Sequence, residues 1–457
     1  ASEAKAILAH PRFERRINDK VLDRFLLGRF WDSTTSFFEG IDGLAPGWWW
    51  KVSESGVEKR AYFDPLAALD VQRLVANGRK DPGSFVEPFA AALRASTRLH
   101  LVSDAPVGTM CSGGVDSSLV TAYAREALPD VRAFVADIAW PGGEAAQAEK
   151  VGKHLGVAVE RVRVDRARLL GLWARTVWHS DGPTSHPSDA ALLAVTERCR
   201  DAGIKVLLTG EGSDELFAGY DVYRKTRQAW RRLEWPWRLF THRRRHLARG
   251  LAAAPFSSLV AARDHLLRRR LILFLDGERE FYAQRLMERL GPVEPASDRA
   301  FLAHVLYDFT DYISWILHRH DRMGMAASME MRVPFLENAM FDFAFHLPRQ
   351  AKLQGKTGKW VVKEAAAKVL PREVVYAKKK GFPVPEEFTR GTEAILAGGM
   401  VADRFGWSAE VSRRMAAVAR QDAHFRFQLV GAELWLRLFF DGASAEGLSE
   451  RLIAATA

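Results

Sequence analysis

Cysteine is almost missing from this chain: Cys111 and Cys199 are the only two in 457 residues. Two isolated cysteines exclude a disulfide framework, offer no zinc spacing and fit a reducing compartment. Long apolar runs are missing as well. None approaches a bilayer span, and the opening Ala1-Ser2-Glu3-Ala4-Lys5 carries no signal-peptide pattern. A soluble cytoplasmic protein without membrane contact is expected. Internal repeats are missing too. The net charge of +10 is not spread evenly, because residues 222–270 alone hold fourteen Lys/Arg against two acids, Glu234 and Asp264. Such a patch either stays solvated or docks an acidic partner, and it does not make the whole chain a nucleic-acid binder. What is plentiful is apolar residue, 48% of the chain. That length and composition allow two or more domains around a large core.

The most informative segment is Ser112-Gly113-Gly114-Val115-Asp116-Ser117. It follows the apolar run Val107 to Cys111 and opens a helical pattern from Leu119. Strand, glycine loop and helix start form a phosphate site, since small residues admit the anion to backbone N–H groups with the helix dipole behind them. No Gly-Lys-Ser/Thr closes the loop, so it is not a Walker loop. Asp116 would repel a phosphate unless a divalent cation stood between, which a bare strand-to-helix turn does not explain. A second strand, Lys205 to Thr209, runs into Gly210-Glu211-Gly212-Ser213-Asp214-Glu215. In a parallel sheet both loops leave the carboxyl edge, where ligands bind. Asp116 and Asp214 then share one cation with the phosphates of ATP, and hard oxygen ligands suit Mg2+. Cys111, in an apolar strand, stays a protonated thiol and is not read as a nucleophile.

Strands at Val131–Ala136 and Val157–Val164 alternate with helices at Phe85–Leu99, Glu144–His154 and Asp189–Ala202. That alternation predicts an α/β fold with a parallel sheet covered on both faces. From about Tyr220 onward the pattern is helical, with no strand signal. Residues 1–66 read differently. Ser36–Ile41 and Ala45–Val52 suggest two short strands joined by a Pro-Gly turn, with a third at Lys59–Phe63, and Trp48–Trp50 as sheet packing. Residues 67–84 read as a linker.

Three more segments join the two loops in a resemblance. They are Asp321-Arg322-Met323-Gly324-Met325-Ala326 with Glu330–Glu337, then Lys378–Pro385, then Ala432–Arg437. In this order, over most of residues 85–440, they resemble the synthetase half of glutamine-hydrolysing asparagine synthetases. The resemblance implies a PP-loop ATP pyrophosphatase (adenine nucleotide alpha hydrolase-like) sheet with a helical C-terminal part. Residues 1–66 resemble the tail of an N-terminal glutaminase (Ntn-type) domain, 67–84 the linker and 85–457 the synthetase domain. The implied reaction is attack of a carboxylate on the α-phosphate of ATP, with release of pyrophosphate. Ammonia or an amine then displaces AMP to give an amide.

By the same resemblance, Ser112, Gly113, Gly114, Asp116 and Ser117 bind the nucleotide, and Asp116 and Asp214 hold Mg2+. Cys111 and Ala136 offer backbone to the adenine, with Thr209 and Gly210 nearby. Lys363 and Lys379 neutralise the phosphates, the alternative for each being a solvated surface charge. Lys378 and Lys380 leave the second assignment open by one position. Glu211 takes the nucleophile's proton, where β-lactam and carbapenam synthetases carry a tyrosine; otherwise it only orders its loop. His179, Asp181 and His186 either border the acceptor site or are satisfied loop groups. Asp137 departs from the small or apolar residue the family often has.

The acceptor is a small-molecule or peptide carboxylate. The N-terminal cysteine of a glutaminase is absent here, so a removed upstream fragment or a separate chain on Trp48–Trp50 is expected. Alone, the chain is expected not to hydrolyse glutamine. Other readings keep the fold. One is a cyclase using a substrate amine, as in lasso-peptide cyclases, and another is an ATP-binding module without turnover. A tRNA-modifying enzyme, gripping nucleic acid with the basic segment beside Trp230, Trp235 and Trp237, fits the Arg322–Leu336 segment least.

Overall fold

Along Arg132–Ile138, Ala133 and Val135 are buried toward one layer of helices, and Phe134, Ala136 and Ile138 toward the other. A strand buried on both faces belongs inside a parallel sheet. The computed structural model describes residues 1–27, 34–138, 143–184, 186–239, 277–310, 312–378 and 384–456, and there the strand lies second from one edge of a five-stranded sheet. In chain order, an N-terminal hairpin supplies β1 (Trp48–Ser53) and β2 (Gly56–Ala61). The central strands are β3 (Val107–Met110), β4 (Arg132–Ile138), β5 (Val159–Val164), β6 (Val206–Leu208) and β7 (Glu330–Arg332). A small hairpin, β8 (Leu353–Gln354) and β9 (Thr357–Gly358), follows.

The central order is β5-β4-β3-β6-β7, and every neighbouring pair is parallel. From β3 the chain builds outward through β4 and β5. It then returns to place β6 on the other side of β3, with Val107 beside Val206 and Thr109 beside Leu208. This reversal opens a crevice at the carboxyl ends of β3 and β6, where doubly wound sheets bind ligands. Helices Val86–His100, Val115–Ala127 and Ala145–Leu155 cover one face. Helices Arg166–Ser180, Ser188–Asp201 and Ala423–Phe440 cover the other. The α/β fold read from the alternating pattern is therefore present. No helix among the described residues is long and apolar enough to cross a membrane.

Several local expectations need correction. β7 lies in the stretch read as purely helical. It has three residues, two of them charged, so no apolar alternation announced it; its partner β6 lies far away in sequence. Ser36–Ile41 is not a strand of the hairpin. It makes one isolated bridge, Phe38 with Ile17, is flanked by another between Thr35 and Asp42, and its aromatics go inward. Phe37 and Phe38 are buried and meet Trp435 at 5.4 and 5.5 Å between ring centroids. β1 instead pairs with β2, turning at residues 54–55. Pro46-Gly47 lies ahead of β1, and Gly47, at φ +76°, accepts from Tyr62 N through its carbonyl at 2.8 Å. Among the described residues the hairpin pairs with no further strand. Trp48 stays 40% exposed, and Trp50 lies under Lys59 Nζ at 3.9 Å rather than inside a sheet sandwich.

Two helices, Ala4–Leu8 and Asp19–Leu27, precede this region. The stretch read as a linker carries helices Pro65–Ala68 and Val71–Asn77, and Leu66, Leu69, Val71 and Leu74 are buried in the core on the Val86–His100 side. Asp137 also has a physical account. It receives Arg161 from the neighbouring edge strand at 2.8 Å, and Arg161 also meets Glu149 at 3.1 Å.

Candidate functional site

β3 runs directly into the glycine loop. Gly113 adopts φ +77°, and a Cβ there would lie 2.6 Å from Ala148 N. Glycine therefore lets the loop rest on the first turn of Ala145–Leu155. Ser117 Oγ accepts from Ser112 N at 3.1 Å and meets Ser112 Oγ at 3.0 Å. The loop is closed onto the start of the helix Val115–Ala127. The first amides of that helix have no intrahelical partner and are available to an anion.

The second loop touches the first. A Cβ on Gly210 would lie 2.6 Å from Ser117 N, so the chains meet backbone to backbone. Ser213 Oγ donates to Asp116 Oδ1 at 2.6 Å. Lys352, buried, donates to the carbonyls of Leu216 at 2.5 Å and Ala344 at 2.6 Å, which pins the short helix Ser213–Phe217. Burial pushes the Lys352 amine down to about 7.

A third segment completes the pair of acids. Directly after β9, Lys359 takes a left-handed backbone at φ +55°, and its N–H donates to Phe217 O at 3.1 Å. Its buried ammonium reaches Asp116 Oδ2 at 2.5 Å and Asp214 Oδ1 at 2.8 Å. Burial opposes the Lys359 charge, but the two carboxylates outweigh it and hold the ammonium above the ordinary lysine range. Gly219 makes room: a Cβ there would sit 1.8 Å from Asp214 Oδ1 and 2.3 Å from Lys359 Cε.

The sequence placed a divalent cation between Asp116 and Asp214, whereas the structure places the Lys359 ammonium there. The donor set still fits Mg2+, which takes one or two carboxylates and fills its other positions with phosphate and water oxygens. Among the described residues no group of three or more His, Cys, Asp or Glu forms a metal cage.

Lys363, one of the two lysines singled out from sequence, lies one turn further along Trp360–Ala366, with its N–H on Lys359 O at 2.9 Å. It is half-buried. Burial and the Lys359 charge lower its pKa, so it stands behind the bridging lysine. Lys379 lies outside the described residues, as do Arg243–Arg245 and Arg268–Arg270.

Glu211 points another way. Its Oε1 lies 3.4 Å from Nε2 of His320, and the carboxylate is 33% exposed while His320 is buried. Burial acts upward on the Glu211 carboxyl, but His320, with Arg319 behind it, holds it below its ordinary value. The loop thus carries two acids in different states. Glu211 is an ionised carboxylate, whereas burial and Asp214 push Glu215 up to about 8. Glu215 Oε1 accepts from Tyr220 OH at 2.6 Å. Arg319 is itself fixed, donating to Asp189 Oδ1 at 2.5 Å and to Ser188 Oγ at 2.7 Å.

The remaining candidates line the same edge. Cys111 is buried just past β3, where burial pushes its thiol up and keeps it protonated. Ala136 lies in the carboxyl half of β4, and Thr209 and Gly210 follow β6. Thr209 N donates to Arg332 O at 2.9 Å. His186 and Asp181 have structural employment. His186 Nδ1 meets Ser188 Oγ at 2.6 Å. Asp181 accepts from Ala4 N at 2.7 Å and pairs with Lys5 Nζ at 2.8 Å, which docks the N-terminal helix. His179 adjoins that network, and burial lowers its pKa.

Sequence reasoning missed Lys359, His320 and Ser213. The only signal for Lys359 was its neighbour Gly358, which must lie tight against Ala218 O; a Cβ there would be 2.5 Å away.

Comparison with known proteins points one way. The protein-family model for asparagine synthase matches residues 89–437. Asparagine synthetase [glutamine-hydrolyzing] 1 of Bacillus subtilis is 26% identical over 408 residues, covering 84% of this chain and 62% of that protein. A putative asparagine synthetase [glutamine-hydrolyzing] of Mycobacterium tuberculosis is 27% identical, covering 84% and 61%. Amidase chyE of Penicillium rubens is 23% identical, covering 78% and 60%. The chain thus spans less than two thirds of the length of these relatives.

Proposed function

Because the chain belongs to the asparagine synthase family, we propose that it activates a carboxylate with ATP and passes the acyl group to ammonia or an amine, forming an amide. One observation carries this reading. Two loops from adjacent strands hold Asp116 and Asp214 around a single positive charge, and Glu211, in the second loop, faces away from that charge toward His320. Such a division suits two successive half-reactions, one at phosphorus and one at carbon.

In the first, a carboxylate oxygen forms a bond to the α-phosphorus while the bond to the bridging oxygen breaks and pyrophosphate leaves. The N–H groups of Val115, Asp116 and Ser117, at the start of the helix, and the Lys359 ammonium meet the charge that gathers on the leaving group. Asp116 and Asp214 would hold Mg2+. When bound, that ion would supply further neutralisation of the phosphates. In the second, the amine nitrogen bonds to the acyl carbon and the carbon–oxygen bond to AMP breaks. The nitrogen's surplus proton goes to the Glu211 carboxylate. Glu211 is ionised and one third open to solvent, so it is available as a base.

The test is pyrophosphate release with ATP and Mg2+ across a panel of carboxylates, with amide formation followed in parallel. AMP and pyrophosphate are expected, and Asp116→Ala should abolish both. ADP and phosphate as products would remove the adenylation step from the proposal.

A further inference from the structure

The Tyr312–Met325 helix brings His320 to Glu211, and the geometry of that ring fixes a proton. Nδ1 lies 2.9 Å from the carbonyl oxygen of Ile316. A carbonyl only accepts, so Nδ1 carries hydrogen. Nε2 faces Glu211 Oε1 at 3.4 Å. A lone pair on Nε2 facing a carboxylate oxygen would repel it, so a proton belongs between them. The pair therefore rests with that proton on Nε2, facing the ionised Glu211 carboxylate. Separations of this size tighten when substrate enters.

We propose that His320 is the positioning residue of the amide-forming step: by binding Oε1 it holds Glu211 in place and leaves Oε2 to take the proton from the attacking nitrogen. This rests on the amide-forming reading above. The balance is complete. The N–C bond forms, the C–O bond to AMP breaks with its electron pair on the phosphate oxygen, and one N–H proton moves to Oε2. The pair then carries two protons and one positive charge, and solvent removes the extra proton through the exposed side of Glu211.

The surroundings favour this state. Asp189, on the Ser188–Asp201 helix, faces His320 and is bound by Arg319. Asp214 and Glu215, on the second loop, act on Glu211 from the other side, and Tyr312 lies on the same helix as His320. No other histidine is paired with Glu211 among the described residues. The nearby His318 has its pKa pushed down to about 4, chiefly by burial, so it stays neutral.

Two measurements test the inference on the full chain. The first uses nitrogen NMR on protein carrying 15N-histidine, with the His320 signals assigned by His320→Gln. Both ring nitrogens should carry protons at neutral pH, and in Glu211→Gln the Nε2 proton should be lost while the Nδ1 proton stays. An unprotonated Nε2 in the wild-type protein, or no change in Glu211→Gln, would overturn the pairing.

The second compares His320→Gln with the wild type, using ATP and L-aspartate with ammonia and then with hydroxylamine. In a single turnover, with enzyme in excess over ATP, pyrophosphate release should stay within about twofold. Amide formation with ammonia should fall at least about tenfold, within the range general bases contribute. Hydroxylamine, which needs less help to lose its proton, should recover the product. Equal loss of pyrophosphate and amide, without hydroxylamine recovery, would mean that His320 merely supports the fold. If the wild-type protein released no pyrophosphate with any carboxylate, the amide-forming reading would fail. The nitrogen NMR would still decide whether the pair exists.

Discussion

Lys359 meets Asp214 at 2.8 Å by passing its side chain beside Gly219, the one residue type that leaves room there. The ammonium is buried and both of its carboxylate partners are largely so. Removing one member of a buried charge cluster costs more than the cluster contributes, because the others are left uncompensated.

Lys359→Met should therefore lower stability by about 3 kcal/mol in urea unfolding. Adding Asp116→Asn should recover part of that loss, since one repelling charge disappears. A single variant as stable as the wild type would show that the acids are compensated by something else.

Gly219→Ala should be far more damaging than its one methyl suggests. The new carbon would lie 1.8 Å from Asp214 Oδ1, so the acid or the lysine must leave its place. Loss of ATP binding in calorimetry is expected. Gly171→Ala is the control, because that glycine sits inside Arg166–Ser180 with nothing within 4 Å. It should be neutral or raise stability by up to about 1 kcal/mol through helix propensity.

Asp308 gives a pH signature away from the site. Burial raises its carboxyl to about 7, and His304 Nε2 lies 3.8 Å away. Between its unfolded value near 4 and about 7, the folded chain holds more protons on this group than the unfolded one. Its contribution to stability is thus greatest at low pH and falls as pH rises through that window. Asp308→Asn should unfold at a higher temperature than the wild type at pH 8, and that advantage should shrink as the pH is lowered toward 4. An advantage independent of pH would show that burial does not shift this carboxyl.

The basic segment offers a prediction from charge alone. Replacing Arg243, Arg244 and Arg245 together with glutamate should leave pyrophosphate release largely intact, as expected of a solvated or docking surface. A loss matching that of Asp116→Ala would place these arginines at the nucleotide.

Four strands of the sheet and both acidic loops were legible because each announces itself locally. Val107–Met110 and Val206–Leu208 are largely apolar runs that lead into glycine loops, and glycine with acid after a strand has few other uses. Lys359 was not legible. Its reach depends on the β8–β9 turn, a left-handed backbone and an empty Gly219, none of which has a periodic signature. His320 was hidden for a related reason. Its helix shows five polar residues in a row, His318 to Arg322, and only packing decides which one turns toward Glu211. Phe37 and Phe38 misled in the opposite sense. An aromatic pair with Ile41 reads as strand, yet a free hydrophobic surface on Ala423–Phe440 claims both rings, overriding β propensity.

The strand order also governs how the molecule comes into being. β3 must wait for β6, and β6 for β7, each pairing closing a loop of roughly a hundred residues or more, and such distant closures make folding slow. Asp116, Asp214 and Lys359 are brought together only by those closures. Early collapsed forms can own a hydrophobic core and much of their helix without owning a nucleotide site. Nucleotide binding at the proposed site should thus time the final stage of folding, silent until the last strand is seated.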